Sequence, residues 1–219
     1  MIWNWQFAVE ILPPLLRGLW VTLQAVFWGM SLALVLGIVW ALCRRSSRRL
    51  ISWPAAGTVE FVRSTPLLIQ LFFIYYVLPN FGLILPPWIA GVVALGVHYS
   101  AYTSEVYRAG LEGVPRGQWM AARALNLSSA QTYRYVILPQ AIPPVIPALG
   151  NYLIAMFKDA PLLSAITVLE VLATAKNLGN EYFRYLEPLT IVGVFFLVLS
   201  LLSGTLVSWL ERRLKLPST

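Results

Sequence analysis

Charge is scarce in this chain. Only 11% of its 219 residues are Asp, Glu, Lys or Arg, while 58% are hydrophobic and the mean hydropathy is +0.71. A soluble globular domain carries about a quarter charged residues, so a water-soluble fold is excluded and an integral membrane protein is indicated. Histidine and cysteine are equally sparse. The single His98 rules out a two-histidine metal motif, and the single Cys43 rules out an internal disulfide and leaves an apolar filler at a span end. Neither a G-x-S-x-G elbow nor a glycine-rich phosphate loop is present, so no catalytic residue, metal site or ATP-hydrolysing motif is assigned. No basic residue precedes Arg17, so the charged start of a secretory signal peptide is missing and the N-terminus is expected to stay in the mature protein. The net charge of +7 is of the kind that attracts nucleic acid. In a membrane chain, however, basic residues sort by side, and no nucleic-acid partner is expected.

Long uncharged runs carry the architecture. Gly18 to Cys43, Ser64 to Ser104, Tyr135 to Phe157 and Pro188 to Leu210 each reach the roughly 20 residues that a spanning helix needs. The second run is long enough for two spans and divides at Leu78 to Gly82 and Leu85 to Pro87, where prolines and a glycine stop one helix and start the next. The expected fold is therefore an all-α integral membrane protein of five transmembrane helices in a single domain, residues 1–219, with spans near 19–42, 58–78, 88–107, 140–157 and 189–210. Before the first span, the aromatic-rich segment from Met1 to Leu16 suits the membrane interface. Arg44, Arg45, Arg48 and Arg49 mark the first loop as cytoplasmic, as do Arg116, Arg123 and Arg134 for a later one and Arg212, Arg213 and Lys215 for the end. That places the N-terminus outside and the C-terminus inside. Ala160 to Leu169 is apolar but too short to span, and reads as a re-entrant or interfacial piece.

Polar residues inside the spans are costly and mark candidate function. His98, Tyr102 and Glu105 fall on one helical face, with Tyr99 beside them, and Asn151, Ala155 and Lys158 share a face of the fourth span. Turned toward each other, the two faces would line a pathway for a small charged or zwitterionic solute, with tyrosines and Trp88 offering rings to a cationic group. The alternative is that these side chains only satisfy neighbouring helices or sit at interfaces. The fourth span also carries Pro139, Pro143, Pro144 and Pro147, so its first half should face protein rather than lipid. A stand-alone carrier driven by protons through His98 and Glu105 is a second function class, but five spans without an inverted repeat do not suit it.

Gly117 to Pro139 interrupts the apolar pattern with GQWMAARALNLSSAQTYRYVILP. Pro115 and Gly117 break the preceding helix, Gln118 to Leu127 reads as a short helix, and Ser128 with Gln131 forms a capping box that starts another. Small residues at Ala121 and Ala122 would admit another protein, although a plain connector fits the same pattern.

These residues resemble the cytoplasmic EAA signature of ABC importer permeases. Ala121, Ala122, Leu138 and Pro139 match that signature and Val136 replaces its isoleucine, but Met120 stands where it has glutamate and Asn126 where it has glycine. FVRSTPLLIQLFFIYYVLP (Phe61 to Pro79), HYSAYTSEVYRAG (His98 to Gly110), VPRGQ (Val114 to Gln118) and FKDAPLLSAITVLEV (Phe157 to Val171) are similar to the polar amino acid permeases of the histidine, glutamine, glutamate and opine group. Within it, Ala124 to Leu127 and Ile142 to Asp159 look most similar to ectoine and hydroxyectoine permeases. The resemblance implies the type I ABC importer permease fold, with a coupling helix at about 118–127 whose Gln118, Trp119, Met120, Ala121, Ala122, Arg123, Asn126 and Leu127 meet an ATPase. It implies no cofactor in this chain, ATP and Mg in the ATPase subunits, a second permease subunit in a heterodimer, an extracytoplasmic solute-binding protein, and a place in the bacterial inner membrane.

Overall fold

The computed structural model describes residues 2–213, all of whose regular structure is helical; Lys215 lies outside them. Helix α1 (Trp5–Glu10) is capped by the Asn4 side chain, which accepts from the Phe7 amide at 3.1 Å. Helix α2 (Leu12–Arg44) follows at once, because Pro13 and Pro14 fall in its first turn, where a missing N–H costs nothing. It is joined by α3 (Arg49–Ser64), α4 (Leu67–Phe72) and α5 (Pro87–Glu112). Helices α6 (Arg116–Ala124) and α7 (Ser129–Gln131) form the polar interruption, and α8 (Leu138–Asp159), α9 (Val171–Tyr182) and α10 (Leu186–Arg213) complete the chain.

The centre of the bundle is the α2–α5 pair, which run parallel. Lipid tails are as apolar as leucine, so close packing rather than water exclusion must hold such helices together. The sequence supplies it as Ala25, Gly29, Ala33, Gly37 and Ala41, one small residue every fourth position of α2, all of them buried and the three alanines 5% exposed or less. A Cβ on Gly37 would meet Thr103 Oγ1 at 2.1 Å, and one on Gly96 would meet Leu32 at 2.5 Å. At that approach the Thr103 hydroxyl donates to Ala33 O at 2.9 Å, and Trp40 Nε1 donates to Ser100 Oγ at 3.1 Å. Helix α8 runs back along α5, with Val145 on Gly110 and Met156 in the core, and α10 lies against α8 with Val207 on Gly150.

The expected second span is not one helix. Helix α3 and the Leu67–Phe81 run meet at 106°. Pro66 is the cause: its ring pushes Thr65 out of the helical region, to φ −108° and ψ 138°, so α3 stops at Ser64. Among the described residues three helices are long and apolar enough to cross a membrane, and a fourth crossing is possible only if this bent pair is counted as one. The expectation of five uniform apolar spans is thus corrected: α5 has 26 residues, but its polar side chains dilute the apolar run. The Ala160–Ile166 segment forms a tight 3-10 turn with Leu163 and Ile166 fully buried in the main core, where it packs against α4. Tyr75 and Tyr76 reach it through hydrogen bonds to Thr167 Oγ1 and Ala165 O.

Helix α9 had no counterpart in the sequence reading. It starts where the Glu170 carboxylate caps the amides of Leu172 at 2.9 Å and Ala173 at 2.7 Å. Burial pushes the Glu170 carboxyl up to about 7, against the lowering effect of those two amides and of Lys176. Because the folded value lies above the unfolded one, the fold holds this proton longer than the unfolded chain does. The associated stability is full below the unfolded value near 4.5 and is lost as pH rises through about 7. Unfolding midpoints of the purified chain are expected to fall between these limits, and Glu170→Gln to flatten that slope; a slope unchanged in the variant would contradict the assignment.

Candidate functional site

Gln70, His98, Tyr99, Tyr102, Tyr152 and Asp159 converge where α4, α5 and α8 meet. His98 and Tyr102 are one turn apart on α5, their rings 5.2 Å apart, and Tyr99 packs edge-on to His98 at 5.4 Å. Tyr152 of α8 lies 5.5 Å from Tyr102 and 6.3 Å from Tyr99. The Tyr99 hydroxyl donates to Asp159 Oδ2 at 2.7 Å, and Gln70 Oε1 lies 3.2 Å from His98 Nδ1. A wall of aromatic faces with one carboxylate and one imidazole suits a solute that carries a cation or an N–H donor.

Glu105 is drawn elsewhere, toward the basic end of the bundle. Its Oε1 accepts from Arg44 Nη1 at 2.6 Å and Arg63 Nη1 at 3.3 Å, and its Oε2 from Arg108 at 2.7 Å. Arg108 also reaches Glu112 at 2.6 Å. One carboxylate thereby ties α2, α3 and α5 together.

On α8 the sequence reading chose the neighbouring face. Lys158 is exposed in a recess shared with Pro161, Phe196, Leu197 and Ser200, toward α10, and the Asn151 side chain is exposed with no hydrogen bond among the described residues. The α8 residues that meet Tyr99 and Tyr102 are instead Tyr152 and Asp159, each one position on. Seven residues apart, they too share a face, and one position is about 100° of helix rotation. Gln70 and Asp159 were the missed polar groups, and both were readable as hydrogen-bonding side chains in or beside uncharged runs.

Helix α6 lies outside the bundle at the basic end. The expected helix at 118–127 is observed two residues earlier at its start and three at its end, from Arg116 to Ala124. The Leu127 amide bonds Ala122 O at 3.1 Å and the Asn126 amide bonds Arg123 O at 2.9 Å, a Schellman close. This close demands a left-handed residue, and Asn126 sits at φ 57°. Asparagine is the side chain that best tolerates the conformation glycine usually supplies, which accounts for that departure from the EAA pattern. The capping box at Ser128 and Gln131 is present as read. Ala122 is 2% exposed, and Trp119, one turn away, packs on Tyr133 at 5.5 Å with the Arg45 guanidinium 5.9 Å above its ring. Gln118, Met120, Ala121, Arg123 and Asn126 face outward, Met120 at 64% and the neighbouring Leu125 at 74% exposed; Leu127 is half-buried.

Known proteins agree with this architecture. The family described as "Binding-protein-dependent transport system inner membrane component" matches residues 33–216, and the chain belongs to it. Within it the chain is one of the amino-acid ABC transporter permeases. It is 53% identical to a probable amino-acid ABC transporter permease of Sinorhizobium fredii, over 92% of this chain and 87% of that one. An arginine transport system permease of Bacillus subtilis is 36% identical over 97% and 98%. Among solved structures, an amino acid ABC transporter crystallised with histidines superposes with a TM-score of 0.92 at 38% identity, covering 97% of this chain and 100% of that one. The MetNI methionine transporter, at 21% identity and a TM-score of 0.73 over 94% and 99%, shares the fold alone. The fold is that of a type I ABC permease.

Proposed function

We propose that this chain is one of two permease subunits of an ATP-driven importer that brings a small polar or zwitterionic solute into the cytoplasm. Five crossings are then made by α2, the bent α3–α4 run, α5, α8 and α10, with the N-terminus outside and the basic end in the cytoplasm. The observation that carries the reading is α6, a helix outside the bundle that seats Ala122 and Trp119 inward and turns Met120, Ala121 and Leu125 outward. That exposed apolar face is the surface on which ATPase subunits, bearing ATP and Mg, would dock. A solute-binding protein would deliver cargo at the opposite end, and a second permease, in a heterodimer, would complete the pore. The pathway runs past His98, Tyr99 and Tyr102. Asn151 and Lys158 face away from that cluster and line the pathway only where the second permease or a rocked state meets them. The solute class is that of polar amino acids, with ectoine and hydroxyectoine as the finer candidates. Rocking of the two bundles would alternate access.

Proton-driven transport through Glu105 is disfavoured, because three arginines already hold that carboxylate. The docking test is co-purification: the full chain is expected to retain its ATPase, and failure to do so under mild solubilisation would overturn the reading. Met120→Glu restores the charge usual in the family at an outward position, and is expected to preserve both ATPase retention and uptake. Loss of either would show that Met120 makes an apolar contact that a carboxylate cannot replace.

A further inference from the structure

Gln70 is engaged at both ends of its amide beside the α3–α4 break. Its Nε2 lies 2.8 Å from Val62 O, 3.2 Å from Thr65 O and 2.7 Å from Thr65 Oγ1. Those carbonyls are free because Pro66 ended the helix that would have used them. Carbonyl oxygens only accept, so the amide end facing them is the NH2 group and the oxygen is the end that faces His98. An oxygen at 3.2 Å requires Nδ1 to donate, and a neutral imidazole carries one N–H. Its Nε2 is therefore bare. No donor among the described residues takes that lone pair: the hydroxyl of Tyr99 is committed to Asp159, and that of Tyr102 points to Arg63 O at 3.5 Å. Nor is Nε2 sealed in, since Trp3 Nε1 is the one buried side-chain polar atom without a partner among the described residues.

We propose that Gln70 is a positioning residue that fixes His98 as the Nδ1–H tautomer, holding a bare Nε2 at the tyrosine cluster as acceptor for an N–H donor of the ammonium class on the solute. The ligand half of this inference rests on the pathway reading above; the tautomer does not.

Because His98 is the only histidine in the chain, 15N-histidine labelling of the full chain, purified without a histidine tag, gives one imidazole to read. The expected spectrum shows a protonated Nδ1 and a bare Nε2, whereas an Nε2–H or doubly protonated ring overturns the proposal. Gln70→Leu should move the ring toward the Nε2–H form that free imidazole side chains prefer, and an unmoved tautomer removes Gln70 from the role. Should that variant misfold, the wild-type spectrum still decides the tautomer. In nanodiscs holding the labelled chain with unlabelled partner subunits, L-arginine, L-glutamine and L-glutamate each present an ammonium, while glycine betaine is a zwitterion whose quaternary ammonium has no N–H. Movement of the Nε2 signal by at least one amino acid and not by glycine betaine supports the acceptor role. No movement, or equal movement with glycine betaine, overturns it. Failure of ATP-driven uptake in the same assembly would sink the pathway reading while leaving the tautomer measurement intact.

Discussion

Ala122→Trp is expected to cut ATP-driven uptake at least about tenfold while the complex still hydrolyses ATP. Ala122 is 2% exposed on the face of α6 that packs against Thr132–Ile137, the face from which Trp119 reaches Tyr133. An indole there has no space, and overpacking costs about 1–3 kcal/mol, where each 1.4 kcal/mol is a factor of ten in the seated population. An unseated α6 can still meet an ATPase but no longer passes its movement to the bundle. Ala122→Ser adds one small atom and should transport at nearly the wild-type rate. Uptake unchanged in Ala122→Trp would place the coupling contact elsewhere.

The second large effect is on stability. Glu105→Ala leaves Arg44, Arg63 and Arg108 facing one another with only Glu112, on the far side of Arg108, and the exposed Glu60 beside Arg63 to offset them. Breaking a buried pair by removing one partner costs about 3–5 kcal/mol, and solvent near this end reduces that to about 2–4 kcal/mol, since the Glu105 side chain is 19% exposed. The unfolding midpoint of the solubilised chain should fall by several degrees. Glu105→Gln, which keeps acceptors but not charge, should fall less. Equal midpoints in all three proteins would show that the cluster is ornamental to the fold.

The long elements were legible because lipid imposes them: an uncharged run of sufficient length must be a helix, and α2, α8 and α10 follow. The break at Pro66 has a local signal, since a proline disfavours the helical conformation of the Thr65 before it, but an uncharged run read by hydropathy alone passes over it. Helix α9 escaped because its mixed composition has no span signature, and Glu170, its cap, is an unusual N-terminal residue. At the candidate site, periodicity on α5 found His98 and Tyr102 together with Tyr99. For Glu105 periodicity does not show the partners, because Arg44 and Arg63 come from other helices. On α8 the period groups Asn151 with Lys158, while the face that meets the tyrosine cluster is the adjacent one, with Tyr152 and Asp159. Spacing tells which residues share a face, but not which of two adjacent faces turns inward; that depends on packing, here Met156 turned into the core beside Gly29 and Leu95.

ATP-dependent uptake in sealed vesicles tests the central claim most directly. The chain is assembled with its ATPase and solute-binding protein and offered labelled L-arginine, L-glutamine, L-glutamate and ectoine. At least one solute should accumulate with ATP inside the compartment that holds the ATPase, none without it, and collapse of the proton gradient should change nothing. Accumulation that persists without ATP, or stops when only the gradient is dissipated, would contradict the account.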